Sequence, residues 1–330
     1  MKTTPVTVHD LEGVIAVPPL AWRQDGDALD IAENERLLRH LLSGGLTRVL
    51  YGGNAFLYHV SLRDYECLVE WLASVPGDVW LIPGIGPTFG RAIDQARVLR
   101  RFAFPTALLL PCSDPRDPRG LERGVRRIAE TLGCPLALYL KEETTFGTVQ
   151  SDGIEAVARL VSDGLCVAIK YAVVRADPDD DPYLDALLAE VDRRVVVSGM
   201  GERPAVTHML NRGLPGFTTG SGCVAPRLSH SLFEACRRRD EASANAIRAR
   251  FLPLEDVRDA NGPARVLHAA LQAAGIARVG PIPPFVSSLT ADQIAALQPV
   301  VRALVDERDD LAGSADADDR RGTRPTYEVT

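Results

Sequence analysis

Between Gly13 and about Asp240 the chain alternates short, apolar, β-branched runs with longer stretches whose apolar residues recur every three or four positions. The first pattern fits strands buried on both faces, the second fits helices with one buried side. The strand candidates are GVIAVPPL (13–20), RVLYGG (48–53), VWLIPGIG (79–86), TALLLPC (106–112), LALYL (136–140), CVAIKYA (166–172), RVVVSGM (194–200) and GFTTG (216–220). Between them lie helical stretches such as NERLLRHLLSGG (34–45), RDYECLVEWLASV (63–75), LERGVRRIAETLG (121–133) and GIEAVARLVSDG (153–164). Eight strands about thirty residues apart, each followed by a helix that often ends in glycine, predict an α/β fold of the (β/α)8 TIM-barrel kind. An open doubly wound sheet would stop at fewer strands.

After an eighth helix (226–239) come three more helical patterns, ASANAIRARFLPLEDV, PARVLHAALQAAG and ADQIAALQPVVRALVDE. They predict a three-helix C-terminal extension packed on the barrel. The expected organisation is a barrel carrying the active site over residues 1–240, the extension over 241–312, and a mobile tail over 313–330, where GSADADDRRGTRPTYEVT has no periodicity.

Composition narrows the class. With 46% hydrophobic and 25% charged residues the chain is globular, not disordered. A net charge of −7 argues against nucleic acid as a partner, since phosphate binding needs a clustered basic surface. Six cysteines (67, 112, 134, 166, 223, 236) at irregular spacings, without a CxxC pair, point to a reducing cytoplasm and away from zinc or a disulfide framework. The histidines show no HxH or HExxH spacing, so neither a metal nor another cofactor is expected. The opening MKTTPVTVHDLEG lacks an apolar signal core and no run approaches about 18 apolar residues, so no membrane association is expected.

Lys170 interrupts the strand CVAIKYA. A lysine so placed either reaches water from an edge strand or is buried, and burial favours the neutral, nucleophilic amine. In a parallel barrel the active site lies at the C-terminal ends of the strands. The polar residues there are Lys170 late in strand six, Tyr139 in strand five, Gly53 and Asn54 after strand two, Ser198 and Gly199 ending strand seven, and Thr218 and Thr219 in strand eight. An amine beside a strand-borne phenol suits carbonyl chemistry through a Schiff base.

Taken in order, these segments resemble the family of dihydrodipicolinate synthase and N-acetylneuraminate lyase, over roughly residues 10–305. The matching pieces are ALY139, AIK170, the turn and helix start YGGNAFLYHVSLRDY (51–65), SGMGE (198–202) and GLPGFTTGSGCVAP (213–226). The resemblance implies a lyase in which Lys170 condenses with the ketone of a 2-oxo acid, of the pyruvate or 2-keto-3-deoxy sugar acid type. Tyr139 would move protons, and the amides near Gly53 and Asn54 would hold the carboxylate, with Ser198, Gly199 and Thr219 as further substrate contacts. It also implies a homo-oligomer, tetramer or dimer.

Departures from the family pattern argue against the lysine-pathway reaction. Where the synthases carry G-T-T-G-E, this chain has Gly52-Gly53-Asn54-Ala55-Phe56. Pro111-Cys112-Ser113-Asp114 stands where a cross-subunit tyrosine is usual, and LYLKEETTFG lacks the arginine that follows the strand-five tyrosine. Lys141, two residues past Tyr139, is a candidate replacement for that cation, although a solvated K-E-E loop reads equally well. The damaged strand-two motif also motivates an alternative, an idle member that binds a small oxo acid as sensor or carrier. Two glycine-rich segments, PGIGPTFG (83–90) and TGSG (219–222), are weaker candidates for phosphate, and the run Asp177 to Asp181 reads as a solvated loop.

Overall fold

The computed structural model describes residues 1–319. Eight strands, β1 (Val14–Ala16), β2 (Arg48–Tyr51), β3 (Trp80–Ile85), β4 (Ala107–Leu109), β5 (Leu136–Leu140), β6 (Cys166–Tyr171), β7 (Val196–Ser198) and β8 (Phe217–Thr219), pair in chain order. All pairings are parallel, and β1 closes the ring against β8 with Val14 opposite Phe217. The closure is tight at Gly216, where a Cβ would lie 2.1 Å from the carbonyl oxygen of Gly13. Only glycine lets the two backbones approach this closely.

The strands are shorter than the apolar runs that announce them. The run at 13–20 pairs only over Val14–Ala16, because Pro18 and Pro19 have no N–H to give a ladder. β4 likewise ends ahead of Pro111. The apolar residues beyond the paired stretch are still buried, Val17 and Leu20 among them.

Between the strands run α1 (Ile31–Ser43), α2 (Leu62–Ser74), α3 (Phe89–Leu99), α4 (Pro118–Leu132), α5 (Gln150–Ser162), α6 (Pro182–Glu190), α7 (Ala205–Leu210) and α8 (Pro226–Arg237). Several start on a side-chain cap of the kind that satisfies otherwise orphaned amides. Asp117 accepts from the Gly120 amide ahead of Pro118, and Asp181 accepts from the Leu184 amide ahead of Pro182. Each helix turns its apolar stripe to the sheet, as Leu68, Val69 and Leu72 do on α2, so that sheet and helices share one core.

Beyond the barrel are α9 (Glu241–Asn261), α10 (Pro263–Ala273) and α11 (Ala291–Asp319). α9 packs against α8, α10 and α11, with Phe251 and Leu254 fully buried. It runs through Pro253 without ending. α11 continues past residue 312, so residues 313–319, expected as part of a tail, extend that helix instead; residues 320–330 of the expected tail lie outside the described residues. Among the described residues no helix is long and apolar enough to cross a membrane.

Candidate active site

Lys170 lies on an interior strand, flanked by β5 and β7. The register sets it directly opposite Tyr139, and its Nζ stands 4.3 Å from the centre of the Tyr139 ring. The lysine is only 7% exposed, which rules out the edge-strand reading. Burial, and then the positive charges of Arg258 and Lys141, bring its pKa down to about 7. A large share of the amine is therefore neutral at neutral pH. Burial pushes the Tyr139 phenol up to about 12, so it stays protonated.

Gly199, at the end of β7, makes room for this lysine. A Cβ there would lie 2.9 Å from Cγ of Lys170, 2.8 Å from Cβ of Ala172 and 2.5 Å from the Tyr171 carbonyl oxygen. Any larger residue would displace the lysine stem or the strand end.

Above the pair opens a cavity of about 620 Å³. Of the residues singled out from the sequence, Lys170, Tyr139, Lys141, Asn54 and Gly199 line it. The Asn54 amide nitrogen donates to the Val17 carbonyl at 2.8 Å, tying the turn after β2 to the end of β1. Lys141 and Glu142 are exposed at the rim, yet their backbone is ordered, since both amides donate to Thr145 Oγ1.

Three expected contacts are not in the lining. Gly53 stands aside from the cavity, with Tyr58 against it: a Cβ on Gly53 would lie 3.8 Å from the Tyr58 ring. Ser198 is fully buried behind the lining with its hydroxyl 2.9 Å from His208 Nδ1. Thr219 points away too, because successive side chains of a strand face opposite sides; its neighbour Thr218 lines the cavity. The Thr219 hydroxyl instead donates to Glu202 Oε1 at 2.5 Å.

The glycine-rich segments are not open anion cradles. The Gly222 amide donates to Thr219 Oγ1 at 2.7 Å and the Gly86 amide to Gln95 Oε1 at 2.7 Å. The acidic run is not wholly solvated either. Asp181 is 1% exposed, accepts the Tyr171 hydroxyl and pairs with Arg175 at 2.9 Å.

Several residues that line or support the cavity were missed from the sequence. His208, on α7, is kept neutral by burial, its pKa falling to about 4. Tyr58 is close enough to Tyr139 for the two phenols to influence one another, burial being the larger cause of its raised pKa. Its position inside YGGNAFLYH, right after the turn that follows β2, is the signal the sequence offers.

The largest omission is a buried carboxyl pair with an arginine within electrostatic reach. Glu202 follows β7, and Glu255 and Arg258 come from α9. The Glu202 amide donates to Glu255 Oε1 at 2.9 Å, while Glu202 Oε1 accepts from Thr219 and from Ser229 Oγ at 2.7 Å. Burial raises both pKa values, and the neighbouring Glu202 raises that of Glu255 further. The two hydroxyl donors favour charge on Glu202, so Glu255 is the partner that carries the proton. Among the described residues no group of His, Cys, Asp and Glu is arranged to hold a metal ion.

Known proteins share this architecture. A probable 5-dehydro-4-deoxyglucarate dehydratase of Rhizobium meliloti is 26% identical over 280 residues, covering 82% of this chain and 89% of its own. A 4-hydroxy-tetrahydrodipicolinate synthase of Corynebacterium diphtheriae is 23% identical, covering 83% and 89%. The solved dihydrodipicolinate synthase of Agrobacterium tumefaciens superposes with a TM-score of 0.79 at 21% identity, covering 90% of this chain and all of its own. A prophage protein from E. coli K12, solved in complex with pyruvate, gives 0.76 at 18% identity over 89% of this chain and 98% of its own. The sequence model of the dihydrodipicolinate synthetase family matches residues 10–304, and the chain belongs to that family.

Proposed function

We propose that the protein is a Schiff-base-forming lyase acting on a 2-oxo acid, with Lys170 as nucleophile and Tyr139 as the group that moves protons beside it. The observation that carries this reading is a lysine 7% exposed on a central strand, depressed to about 7 and seated against a tyrosine ring. A neutral amine adds to the ketone, and the carbinolamine loses water to give a protonated imine. That cation withdraws electrons from the adjacent carbon, which then loses a proton or breaks its bond to the next carbon. Hydrolysis of the imine returns the lysine.

Tyr139, protonated at neutral pH, passes protons to and from the carbinolamine and the adjacent carbon. Tyr58 supports the relay from within the same chain, taking a place near Tyr139 that the Gly53–Phe56 segment leaves without hydroxyls. The dehydratase and synthase names of the relatives favour water loss or condensation at the imine. Borohydride reduction with pyruvate and a panel of 2-keto-3-deoxy sugar acids, followed by mass spectrometry, tests the proposal. Failure of every member to leave an adduct on Lys170 favours the idle binder.

The cytoplasm is the compartment proposed, since all six cysteines are free, Cys67 exposed and Cys112 and Cys134 partly so, and a reducing compartment keeps accessible thiols unpaired. A homo-oligomer is proposed as well. Exposed Phe89 beside an apolar cleft of about 670 Å³ between α3 and α4, which reaches Tyr139, supports a second copy there. Light scattering tests this, a monomer at assay concentration being the contrary result.

A further inference from the structure

The far side of the cavity is closed by the C-terminal extension, not by the barrel. Glu255, Arg258 and Asp259 of α9 all line it, the first two one helical turn apart and so on one face. The arginines of the lining differ in how they are occupied. Arg175 pairs with Glu143 and Asp181, and Arg203 with Asp256 at 2.6 Å and Asp259 at 3.5 Å. Arg258 has no ion pair among the described residues. Its hydrogen bonds go to Ser221 Oγ at 2.9 Å and, weakly, to the Pro263 carbonyl at 3.4 Å. A guanidinium has five N–H donors, so most of its capacity is left over.

The place it occupies is provided by the strand end opposite. A Cβ on Gly220, itself part of the lining, would lie 2.4 Å from Nη2 and 2.8 Å from Cζ of Arg258. The guanidinium is thus seated against the backbone at the mouth of β8, within electrostatic reach of Lys170. Beside it, Glu255 and Glu202 share a side-chain hydrogen bond, and Oε2 of each is buried without any other partner. One proton held between the two carboxyls spares the site a second buried charge, so Arg258 is the group left with capacity to spare.

We propose that Arg258 forms a second subsite for the end of the substrate remote from the carbonyl, and that the substrate is a dianionic 2-oxo acid. Arg258 binds the second carboxylate through its free N–H groups, the geometry in which guanidinium recognises carboxylate best. Glu255, its proton shared with Glu202, lines the wall beside it. The inference rests on the Schiff-base reading, because it places the carbonyl at Lys170.

A matched pair of probes separates the two. 2-Oxoglutarate and 2-oxopentanoate have the same chain length and differ in the second carboxylate. Half-saturation of borohydride trapping on Lys170 should favour 2-oxoglutarate by about tenfold or more, the size of one charge-assisted hydrogen bond. In Arg258→Gln the preference should fall to about one, and Arg258→Lys should restore part of it. Equal trapping of both probes by the wild-type protein overturns the subsite and leaves the Schiff base standing. A preference that survives Arg258→Gln places the second carboxylate elsewhere and also overturns it. Trapping of neither probe, nor of pyruvate, overturns the Schiff-base reading and the subsite with it. Should Arg258→Gln not fold, the wild-type ratio alone still decides.

Discussion

On one side of the cavity β5 and β6 hold Tyr139 and Lys170 on adjacent paired strands, among apolar neighbours such as Leu138 and Ile169. On the other side β7, β8 and α9 hold Glu202, Glu255 and Arg258, the two glutamates joined by a hydrogen bond across more than fifty residues of sequence. The first side strips a single amine of water and so makes it neutral. The second gathers charge, and supports it with hydroxyls from Thr219 and Ser229. The two are linked, because Arg258 is the leading charged influence on Lys170 after burial itself. One side thus holds the reacting group and supplies most of the shift in its ionisation, while the other adds to that shift and faces what lies next to it.

The largest effect is expected from Lys170→Ala. Imine trapping and turnover should vanish while circular dichroism shows an intact barrel, and retained activity would move the nucleophile elsewhere. The same lysine has a measurable cost to the fold. Its pKa is lower folded (about 7) than the usual 10.5, so between those values the unfolded chain binds more protons and stability rises with pH. Lys170→Met should therefore stabilise the protein by a few kcal/mol below about pH 7, with the gain shrinking towards pH 10.5. Equal gains at pH 6 and pH 10 would contradict a desolvated lysine.

Tyr139→Phe keeps the ring against Lys170 but removes the proton carrier. Exchange of the hydrogens next to the imine, followed by NMR in D2O, should slow by about 10² to 10⁴, with a much smaller change in half-saturation. An unchanged rate would pass the role to Tyr58 or to water. Next in size is the coupling between the two sides. Removing the Arg258 charge should raise the Lys170 pKa, so the pH profile of imine formation in Arg258→Gln should shift to higher pH. At pH 7 the variant is then slower, and it recovers at pH 9; a profile that stays in place would sever the two sides.

The smallest expected effect concerns the carboxyl pair. Glu255→Gln reproduces a protonated carboxyl and should leave thermal stability nearly intact, whereas Glu255→Ala strands the Glu202 amide and should cost about 1–3 kcal/mol. Equal losses in the two variants would mean that Glu255 is charged in the folded protein.

The same contrast explains what was legible in the sequence. Lys170 and Tyr139 stand out because each is a polar letter inside an apolar strand, a signal confined to a few residues. The eight strands and the helices between them are visible for the same reason. Thr218 and Thr219 are not separable by such a signal, since β8 pairs over three residues and a one-residue shift exchanges the faces. Glu255 and Arg258 are less legible still. They lie on a helix that contains Pro253, in a stretch read only as an extension, and nothing local marks which face meets the mouth of the barrel. Asp181 shows the same gap, an apparently solvated acid buried by Tyr171 from ten residues away.

Whether Lys170 forms an imine with a 2-oxo acid is decided by intact-protein mass spectrometry after borohydride reduction. One adduct per chain is expected, mapped to the peptide containing Lys170, forming faster as pH rises through about 7 and levelling off above it. An adduct on another lysine, or none with any 2-oxo acid while the protein is folded, would contradict an imine at Lys170.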